Sequence, residues 1–380
     1  NNIAIKLSRG KFIMRLDADD YLNENALTVL SQKILSDESL ALVFPDYYLV
    51  DTYGKIIAEE KRHNFENVTM FDQPAHGACT MIRKEILVEL GGYSEEFTRQ
   101  DGYELWVKII KNKKVANIDL PLFYYRQHGN SLTKNKEKLY ETRHEIVKKH
   151  SLEYDITTKN HIAIIPIRDD SSTPLCLKKF AESTLLDIAI SSIKSTENIK
   201  QIIVTTPNEI ITNYIKKNYQ DVVADLRPME LARLNTHIDD TVKYVIKKYS
   251  LNADTISVIN YEYPLRKSFY IDKAINTLYL FEADSVLSVS QENANFYLHQ
   301  GNGLQPFNTN SDLRLERDFI YKETGGIHTV KGAFFEQNSK IVSQKSTHIT
   351  IDEKSSKTIK SEEDFEYLEY LYKKSKNESL

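Results

Sequence analysis

The stretch Lys11-Phe12-Ile13-Met14-Arg15-Leu16 ends abruptly in the acidic cluster Asp17-Ala18-Asp19-Asp20. A short apolar run with such an end is typical of a buried strand. Open α/β sheets bind ligands at the carboxyl ends of their strands, and the three carboxylates follow directly at that end. Three carboxylates within four residues repel one another unless a cation or a basic group balances them.

Two explanations of this cluster remain open from the residues alone. One is a solvated acidic turn, which is common at strand ends. The other is a site for a hard divalent ion such as Mg²⁺ or Mn²⁺, which prefers oxygen ligands and can hold a diphosphate at the same time. The second explanation depends on partner residues further along the chain.

The rest of the first region alternates between helices and strands. A helix is predicted after Asn23, a buried strand at 40–44, and a helix at 83–90 that ends at Gly91-Gly92. Further predicted elements are a helix at 102–111, a strand at 115–118 and a helix at 136–150.

Residues 151–160 lack periodicity and are predicted to link two domains, 1–150 and 161–380. A fresh strand begins at Ile162, and the alternation restarts. The predicted elements are helix 183–196, strand 201–205, helix 208–217, strand 254–260, helix 271–282, strand 285–289 and a helix near 363–374. The pattern predicts an α/β chain of two Rossmann-like domains, each with a mostly parallel sheet covered on both faces.

Composition narrows the class of protein. The chain has 380 residues, 41% hydrophobic and 27% charged, which suits two globular domains. A net charge of -4 argues against nucleic acid as a partner. No apolar run is long enough to form a transmembrane segment, and there is no signal peptide, so a cytoplasmic location is predicted while peripheral membrane association stays open. Cys79 and Cys176 are far apart and suggest free thiols.

Four segments, in the same order as in the family, resemble the family 2 glycosyltransferases with the GT-A fold. The first is residues 10–20, whose acidic cluster resembles the donor-binding motif. The others are His76-Gly77-Ala78 with Gly91-Gly92-Tyr93-Ser94-Glu95-Glu96-Phe97, then Gln100-Asp101-Gly102-Tyr103-Glu104-Leu105-Trp106, and Tyr125-Arg126-Gln127-His128-Gly129-Asn130-Ser131-Leu132-Thr133. Together they cover residues 1–135, and the resemblance implies a partial GT-A domain.

The resemblance implies roles for the acidic residues. Asp19 would coordinate the metal, and Asp17 would touch the nucleotide or the metal. Asp20 would lie on the donor side. Asp101 would be the general base that takes the proton of the acceptor hydroxyl, although Gly102 replaces the second member of the acidic pair. An N-cap of the following helix is the alternative role for Asp101.

Four other residues complete the implied site. Arg126 and His128 would reach the donor diphosphate or the metal; alternatively, backbone carbonyls satisfy them within the loop. The resemblance implies that His76 and Gly77 lie on the acceptor side, with a structural role as the alternative for His76. Trp106 lies beside apolar neighbours and is predicted to be a core residue rather than a sugar platform.

Residues 160–375 resemble the cytidylyltransferases that make CMP-activated acidic sugars, such as acylneuraminate cytidylyltransferase. The matching segments are Ile164-Ile165-Pro166-Ile167-Arg168, Arg227-Pro228-Met229-Glu230-Leu231-Ala232, Tyr263-Pro264-Leu265-Arg266 and Ser361-Glu362-Glu363-Asp364-Phe365. In that family, a glycine-rich turn with a lysine follows the first strand and admits the triphosphate, since glycines let backbone amides approach closely.

Two departures put that activity in doubt. The turn reads Asp169-Asp170-Ser171-Ser172-Thr173, whose carboxylates would repel phosphates. The acidic metal motif near the C-terminus is replaced by Thr358-Ile359-Lys360. A non-catalytic second domain is therefore predicted. Arg168, Arg227 and Arg266 are either nucleotide contacts or arginines that support the fold.

The leading hypothesis is an inverting, metal-dependent glycosyltransferase. It would move a sugar from a nucleotide-sugar donor to a saccharide or glycoconjugate acceptor in the synthesis of surface polysaccharide. One alternative is a CMP-sugar synthetase activity in the second domain. Another is a non-catalytic binding or scaffold protein.

The chain starts at Asn1, within a predicted helix, and only about ten residues precede the acidic strand. In the family that it resembles, the first strands of the nucleotide pocket precede this motif. We therefore expect residues 1–380 alone to have little or no transferase activity and a longer version to be active. Nucleotide-sugar turnover by the purified chain measures this, and robust turnover would contradict the expectation.

Overall fold

The structure is a computed structural model. It describes residues 1–61, 74–75, 77–97, 99–127, 136–292, 294, 296–299, 301, 303–307 and 320–377. The chain divides into two compact units, residues 1–143 with 293–320, and residues 144–292 with 321–380. Within the part of the chain that is described, every helix is too short or too polar to cross a bilayer.

The first part of the chain contains five helices and six strands within these described residues. In chain order they are α1 (Asn2–Leu7), β1 (Phe12–Met14), β2 (Tyr21–Leu22), α2 (Ala26–Leu35), β3 (Leu40–Val50), β4 (Ile56–Glu60), β5 (Met81–Arg83), α3 (Lys84–Glu89), α4 (Asp101–Ile110), β6 (Lys114–Arg126) and α5 (Lys136–Ser151). The strand predicted after residue 10 and the helices predicted near α2 to α5 are therefore present.

The first sheet has the strand order β1-β5-β3-β6-β2, with β4 paired to β3. Its long central strands β3 and β6 are parallel, whereas β5, β1, β2 and β4 pair antiparallel to their neighbours. Consequently β1, β3 and β6 all point their carboxyl ends to the same edge. The helix α2 covers one face, where Leu30 and Ile34 are fully buried against this sheet's core.

The strands β3 and β6 are longer than predicted. The predicted strand ends at residue 44, and the next residue, Pro45, has no N–H for a sheet ladder. The β3–β6 register shifts between Pro45 and Asp46, and pairing resumes as far as Val50 and Arg126. The irregularity absorbs the proline, so both strands reach the edge where the acidic cluster lies.

The segment that carries the acidic cluster connects the two outermost strands of this sheet. The strand β1 lies at one edge and β2 at the other, so residues 15–20 span the width of the sheet and bring Asp20 to the end of β6. The backbone N–H of Cys79 donates to the carbonyl of Arg15 at 2.9 Å, and that of Asp20 donates to Asp17 at 3.2 Å. Stacked rings of Tyr21 and Tyr124, 4.5 Å apart, fix the far end of the crossing.

The remaining elements are strands and helices that alternate over most, but not all, of the sequence. They are β7 (His161–Pro166), β8 (Lys179–Phe180), β9 (Ser183–Thr184), α6 (Leu185–Lys194), β10 (Ile199–Thr206), α7 (Glu209–Asn218), β11 (Val222–Leu226), α8 (Ile238–Lys248), β12 (Thr255–Ile259), α9 (Phe269–Leu280), β13 (Ser285–Glu292), β14 (Tyr297–His299), β15 (Leu304–Pro306), β16 (Ile320–Lys331), α10 (Gly332–Asn338), β17 (Ser346–Thr350) and α11 (Glu362–Asn377). The predicted α/β class is confirmed.

The second unit is built on a seven-stranded sheet of order β11-β10-β7-β12-β16-β13-β17. The first strand, β7, pairs in parallel with β10 on one side and β12 on the other. Residues 162–165 of β7 are fully buried, as a strand covered on both faces requires. The chain order therefore reverses at the carboxyl end of β7, where doubly wound sheets bind their ligands.

Candidate functional site

A single guanidinium group joins two of the predicted acidic residues. The Nε atom of Arg15 lies 3.1 Å from Asp17 Oδ1, and its Nη1 atom lies 3.2 Å from Asp101 Oδ2. Asp17 follows β1 and Asp101 begins α4, so residues 84 positions apart meet at the carboxyl edge of the first sheet. Burial lowers the pKa of Arg15, but the charges of Asp17 and Asp101 outweigh it and raise the pKa above its ordinary value.

Two glycines make room for this arrangement. A Cβ atom on Gly77 would lie 2.8 Å from the Nη2 atom of Arg15, and one on Gly102 would lie 3.2 Å from the Cα atom of Gly77. Gly102 stands where the resemblance implies a second acidic residue. The close approach of the 77 and 102 backbones explains why the smallest residue fits there.

A small cavity of about 20 Å³ lies between these glycines, Tyr93 and Trp106. That volume suits about one water molecule and is far too small for a sugar. Trp106 is buried, and its ring lies edge-on to that of Phe44 with centroids 5.5 Å apart. The prediction that Trp106 is a core residue is therefore confirmed.

Asp101 is the first helical residue of α4. The N-cap position belongs to Gln100, whose φ of 58° is left-handed. The carboxylate of Asp101 accepts hydrogen bonds from the N–H of Gly102 and from Asn1 Nδ2, both at 2.9 Å. Its side chain is 29% exposed, so the carboxylate is held at the surface with partners on one side and solvent on another.

Asp20 differs from its neighbours because it is buried. Its Oδ1 atom accepts a hydrogen bond from the backbone N–H of Arg126 at 2.8 Å, and its Oδ2 atom is buried without a hydrogen-bond partner. Burial, helped by the charges of Asp19 and Asp17, raises the pKa of Asp20 to about 6 against the opposing hydrogen bond. Asp17 and Asp19 are more open to solvent.

Arg126 holds backbone rather than carboxylates. Its Nε atom donates to the carbonyl of Asp19 at 2.8 Å, and its Nη1 atom donates to the carbonyls of Asp51 and Thr52 at 3.2 and 3.0 Å. It also lies over the ring of Tyr21. The side chain therefore ties the acidic crossing to the turn that follows β3.

The carboxylates of Asp17 and Asp19 are the candidate ligands for the metal that the resemblance implies. Among the described residues, no group of three or more His, Cys, Asp or Glu side chains could hold a metal ion. Mg²⁺ commonly binds through one or two carboxylates together with substrate phosphates and water. The partly exposed carboxylates of Asp17 and Asp19 fit that mode, whereas they do not fit an all-protein cage. His76 and His128 lie outside the described residues.

Sequence reasoning missed the part that Arg15 plays. The signal was present, since a basic residue interrupts the apolar run two positions before the first aspartate. In a buried strand, a charged side chain needs a partner of opposite charge. The run therefore pointed to a carboxylate partner beyond the cluster.

In the second unit, Asp169 faces its own loop. Its Oδ1 atom accepts from the N–H of Ser171 at 2.9 Å, and its Oδ2 atom accepts from the N–H of Leu175 at 2.7 Å. Although burial opposes the change, these hydrogen bonds lower its pKa. The carboxylate of Asp169 therefore accepts from backbone N–H groups of the turn after β7. It does not point outward, as the expected repulsion of phosphates requires.

The arginines of the second unit bind backbone carbonyls. Arg227 donates to Thr205 and Ile167 at 2.8 and 3.1 Å, and Arg168 donates to Thr236 at 3.1 Å. Burial, with the nearby charge of Arg168, lowers the pKa of Arg227 to about 10.

Arg266 is bound in the same way. Its Nη1 atom donates to the carbonyls of Asn260 and Gly325, each at 2.9 Å. Burial lowers its pKa to about 10, so it stays protonated at neutral pH. Near the same sheet edge, burial raises the pKa of Glu262, and the charges of Lys360 and Arg168 oppose the rise. A lysine thus lies beside the carboxylate there.

Relatives of known class are glycosyltransferases. The chain is 30% identical over 148 residues to an uncharacterized glycosyltransferase of Methanocaldococcus jannaschii, covering 37% of this chain and 51% of that protein. It is 27% identical over 177 residues to UDP-Glc:alpha-D-GlcNAc-diphosphoundecaprenol beta-1,3-glucosyltransferase WfaP of Escherichia coli, covering 43% and 62%. The resemblance to glycosyltransferases inferred from the acidic motifs is therefore confirmed.

The chain spans less than two thirds of the length of either relative. No family model matches it. Among solved structures, it is similar to 4-diphosphocytidyl-2C-methyl-D-erythritol synthase from Anaerococcus prevotii, with 13% identity, 57% of this chain and 98% of that chain covered, and a TM-score of 0.43. A similarity at that level says nothing about ligand or activity.

The buried carboxyl of Asp20 predicts a pH dependence of stability. Its pKa is raised from 3.8 to about 6 in the folded chain, so folding favours the protonated form. This contribution to the free energy of unfolding is complete below pH 3.8, falls as the pH rises to about 6, and is absent above that. In Asp20→Asn, we expect that fall to disappear, because the amide stays neutral and can still accept from Arg126.

Urea denaturation of the metal-free protein between pH 4 and pH 7 measures the effect. Asp119→Asn, at an exposed position, is the matched control and should keep the dependence of the unchanged protein. The assignment of the titration to Asp20 would be wrong if Asp20→Asn lost stability over this range as steeply as Asp119→Asn.

Proposed function

We propose that the whole protein is an inverting, metal-dependent glycosyltransferase that uses a nucleotide-sugar donor. The observation that carries the proposal is the meeting of Asp17 and Asp101 on one guanidinium, at the carboxyl edge of the first sheet. An inverting transfer needs a carboxylate on the face opposite the leaving group and positive charge near that group. The two carboxylates come from different elements and can therefore serve these two sides.

On the donor side, Asp19 and Asp17 would hold the divalent ion. When bound, that ion neutralises charge on the departing nucleoside diphosphate. Asp20 would fix the segment that carries them, because its buried carboxyl accepts a hydrogen bond from the backbone N–H of Arg126. Arg126 in turn keeps the backbone of Asp19 in place through the 2.8 Å bond to its carbonyl.

On the acceptor side, Asp101 would accept the proton of the attacking hydroxyl group. Its carboxylate is partly exposed, so a hydroxyl can approach it from solvent, while Gly102 and Asn1 hold it from behind. The cavity below the site admits about one water molecule, so we place the acceptor outside it, at the surface near Asp101.

The substrates are proposed by class. One relative is named for UDP-Glc as donor and for a diphosphoundecaprenol-linked sugar as acceptor, which supports a nucleotide-sugar donor and a saccharide or glycoconjugate acceptor here. With a donor and an acceptor of these classes, the proposed process is the synthesis of surface polysaccharide from the cytoplasmic side.

The test uses Asp101→Asn and Asp19→Asn in the protein at its full encoded length. Because a positioned general base contributes about 10²- to 10⁴-fold, we expect Asp101→Asn to reduce release of nucleoside diphosphate by at least about 100-fold. Asp19→Asn should also reduce it, and added Mn²⁺ should restore part of that loss. Mass spectrometry of the acceptor checks that a sugar has been added.

Asp119→Asn is the matched control, since it removes one exposed carboxylate remote from the acidic cluster in sequence. It should turn over like the unchanged protein. A non-catalytic binding protein would instead keep its biological activity in all three variants. Full turnover by Asp101→Asn would refute the assignment of the base.

For the second unit, we propose a non-catalytic role in scaffolding or partner binding. The supporting observation is that Asp169 occupies the amides of Ser171 and Leu175, which follow the first strand where the similar enzymes admit triphosphate. Lys360 beside Glu262 further disfavours a magnesium site, because a lysine cannot serve as its ligand.

CTP binding tests this role. We expect calorimetric titration with CTP and Mg²⁺ to show no binding with a Kd tighter than about 1 mM. That Kd corresponds to a binding free energy of about 4 kcal/mol. We also expect no release of pyrophosphate when an acidic sugar is added. Stoichiometric pyrophosphate from CTP and an acidic sugar would instead establish the alternative, a working CMP-sugar synthetase.

A further inference from the structure

We infer that Arg15 is a positioning residue for the proposed transfer, acting through Asp101. The inference rests on the proposed function, because it concerns the base of that reaction. Arg15 itself needs no contact with the substrate. Its part is to hold the carboxylate of Asp101 at a fixed place relative to Asp17, so that the acceptor side and the donor side of the site keep one geometry.

The contacts of Arg15 suit this part. The planar guanidinium presents donors in a rigid fork, and here Nη1 donates to Asp101. Nε lies 3.1 Å from Asp17, which is a charge contact without a hydrogen bond. Nη1 lies within 3.4 Å of both oxygens of Asp101. A lysine offers a single nitrogen on a flexible stem, so it can supply the charge but cannot bond Asp101 while staying this close to Asp17.

The arginine is itself held in place. Its backbone carbonyl accepts the N–H of Cys79 at 2.9 Å, so the main chain is anchored to the segment before β5. Its guanidinium lies above the ring of Tyr93, 5.9 Å from the centroid, and fills the space that Gly77 leaves. Only 24% of the side chain is exposed. Because these contacts restrict the guanidinium, the carboxylates that pair with it are restricted as well.

Charge gives a second reason. Asp17, Asp19, Asp20 and Asp101 all lie near this edge, and like charges repel over short distances. Arg126, the other described arginine of the cluster, is engaged with backbone carbonyls. Without Arg15, the carboxylate of Asp101 would lose the cation that draws it toward Asp17. A displacement of about 1 Å at a reacting group can reduce a rate on the order of 100-fold.

The experiment compares Arg15→Gln, Arg15→Lys and Arg9→Gln in the protein at its full encoded length. Arg9 is exposed and lies six positions before Arg15, so Arg9→Gln is a matched loss of one charge. We expect Arg15→Gln to lower kcat on the order of 100-fold, a larger effect than any change in KM for the nucleotide sugar that follows from losing the contact with Asp17. Arg15→Lys should recover only part of that loss, and Arg9→Gln should show none.

The double variant Arg15→Gln/Asp101→Asn separates positioning from general stability. If Arg15 acts through Asp101, adding Arg15→Gln to Asp101→Asn should lower kcat no further. A role in folding alone would instead lower the thermal midpoint and the fraction of active protein equally in both backgrounds. Should Arg15→Gln fail to fold, Arg15→Lys and Arg15→Lys/Asp101→Asn form the same comparison.

Three outcomes would overturn the inference. They are unchanged kcat in the folded glutamine and lysine variants, full recovery of kcat by lysine, and independent losses from Arg15 and Asp101. Each of them presupposes that Asp101→Asn alone reduces turnover. If Asp101→Asn keeps full turnover, the proposed base has failed instead, so the two failures are distinguishable.

Discussion

Negative charge at the carboxyl edge of the first sheet is the constraint on which the site depends. Four aspartates approach this edge from the segment after β1 and from the start of α4, and Arg15 bridges two of them. The strand order makes the meeting possible, because the acidic segment has to cross from β1 at one edge of the sheet to β2 at the other. The crossing brings Asp20 to the end of β6, where burial and a backbone amide hold it. A local cluster in sequence thereby becomes a site assembled from three parts of the chain.

Arginines at strand ends serve two different purposes in this protein. Arg126, Arg227 and Arg266 donate to backbone carbonyls that lie beyond or between strands, and buried carbonyls need such donors. Arg15 pairs with carboxylates instead. The distinction matters because a basic residue in a family-like motif is easily taken for a phosphate contact. Where backbone carbonyls already take the donors, as they do for Arg227 and Arg266, binding an anion would first require those bonds to break.

Much of the fold could be predicted because hydrophobic periodicity survives in most elements. Helix α6 and strands β7, β10, β12 and β13 lie within a few residues of the predicted positions. Helix α8 and strands β16 and β17 were missed, because charged, glycine and polar residues interrupt their patterns while distant parts of the chain supply the packing. For the candidate site, the sequence patterns single out Asp17, Asp19 and Asp101, and the structure brings Asp17 and Asp101 together at Arg15. The burial of Asp20 and the inward turn of Asp169 depend on tertiary contacts, which no local pattern contains.

The close contact between Gly77 and Gly102 has a consequence for how this chain could change over evolutionary time. A single substitution that restored an acidic side chain at 102 would set its Cβ 3.2 Å from the Cα of Gly77. The backbone of Gly77, which borders the guanidinium of Arg15, would then have to shift by a few tenths of an ångström. A second carboxylate at this position would therefore be coupled, through Gly77, to the placement of Arg15. An acidic residue at 102 would thus alter the packing around Arg15 as well as the charge of the site.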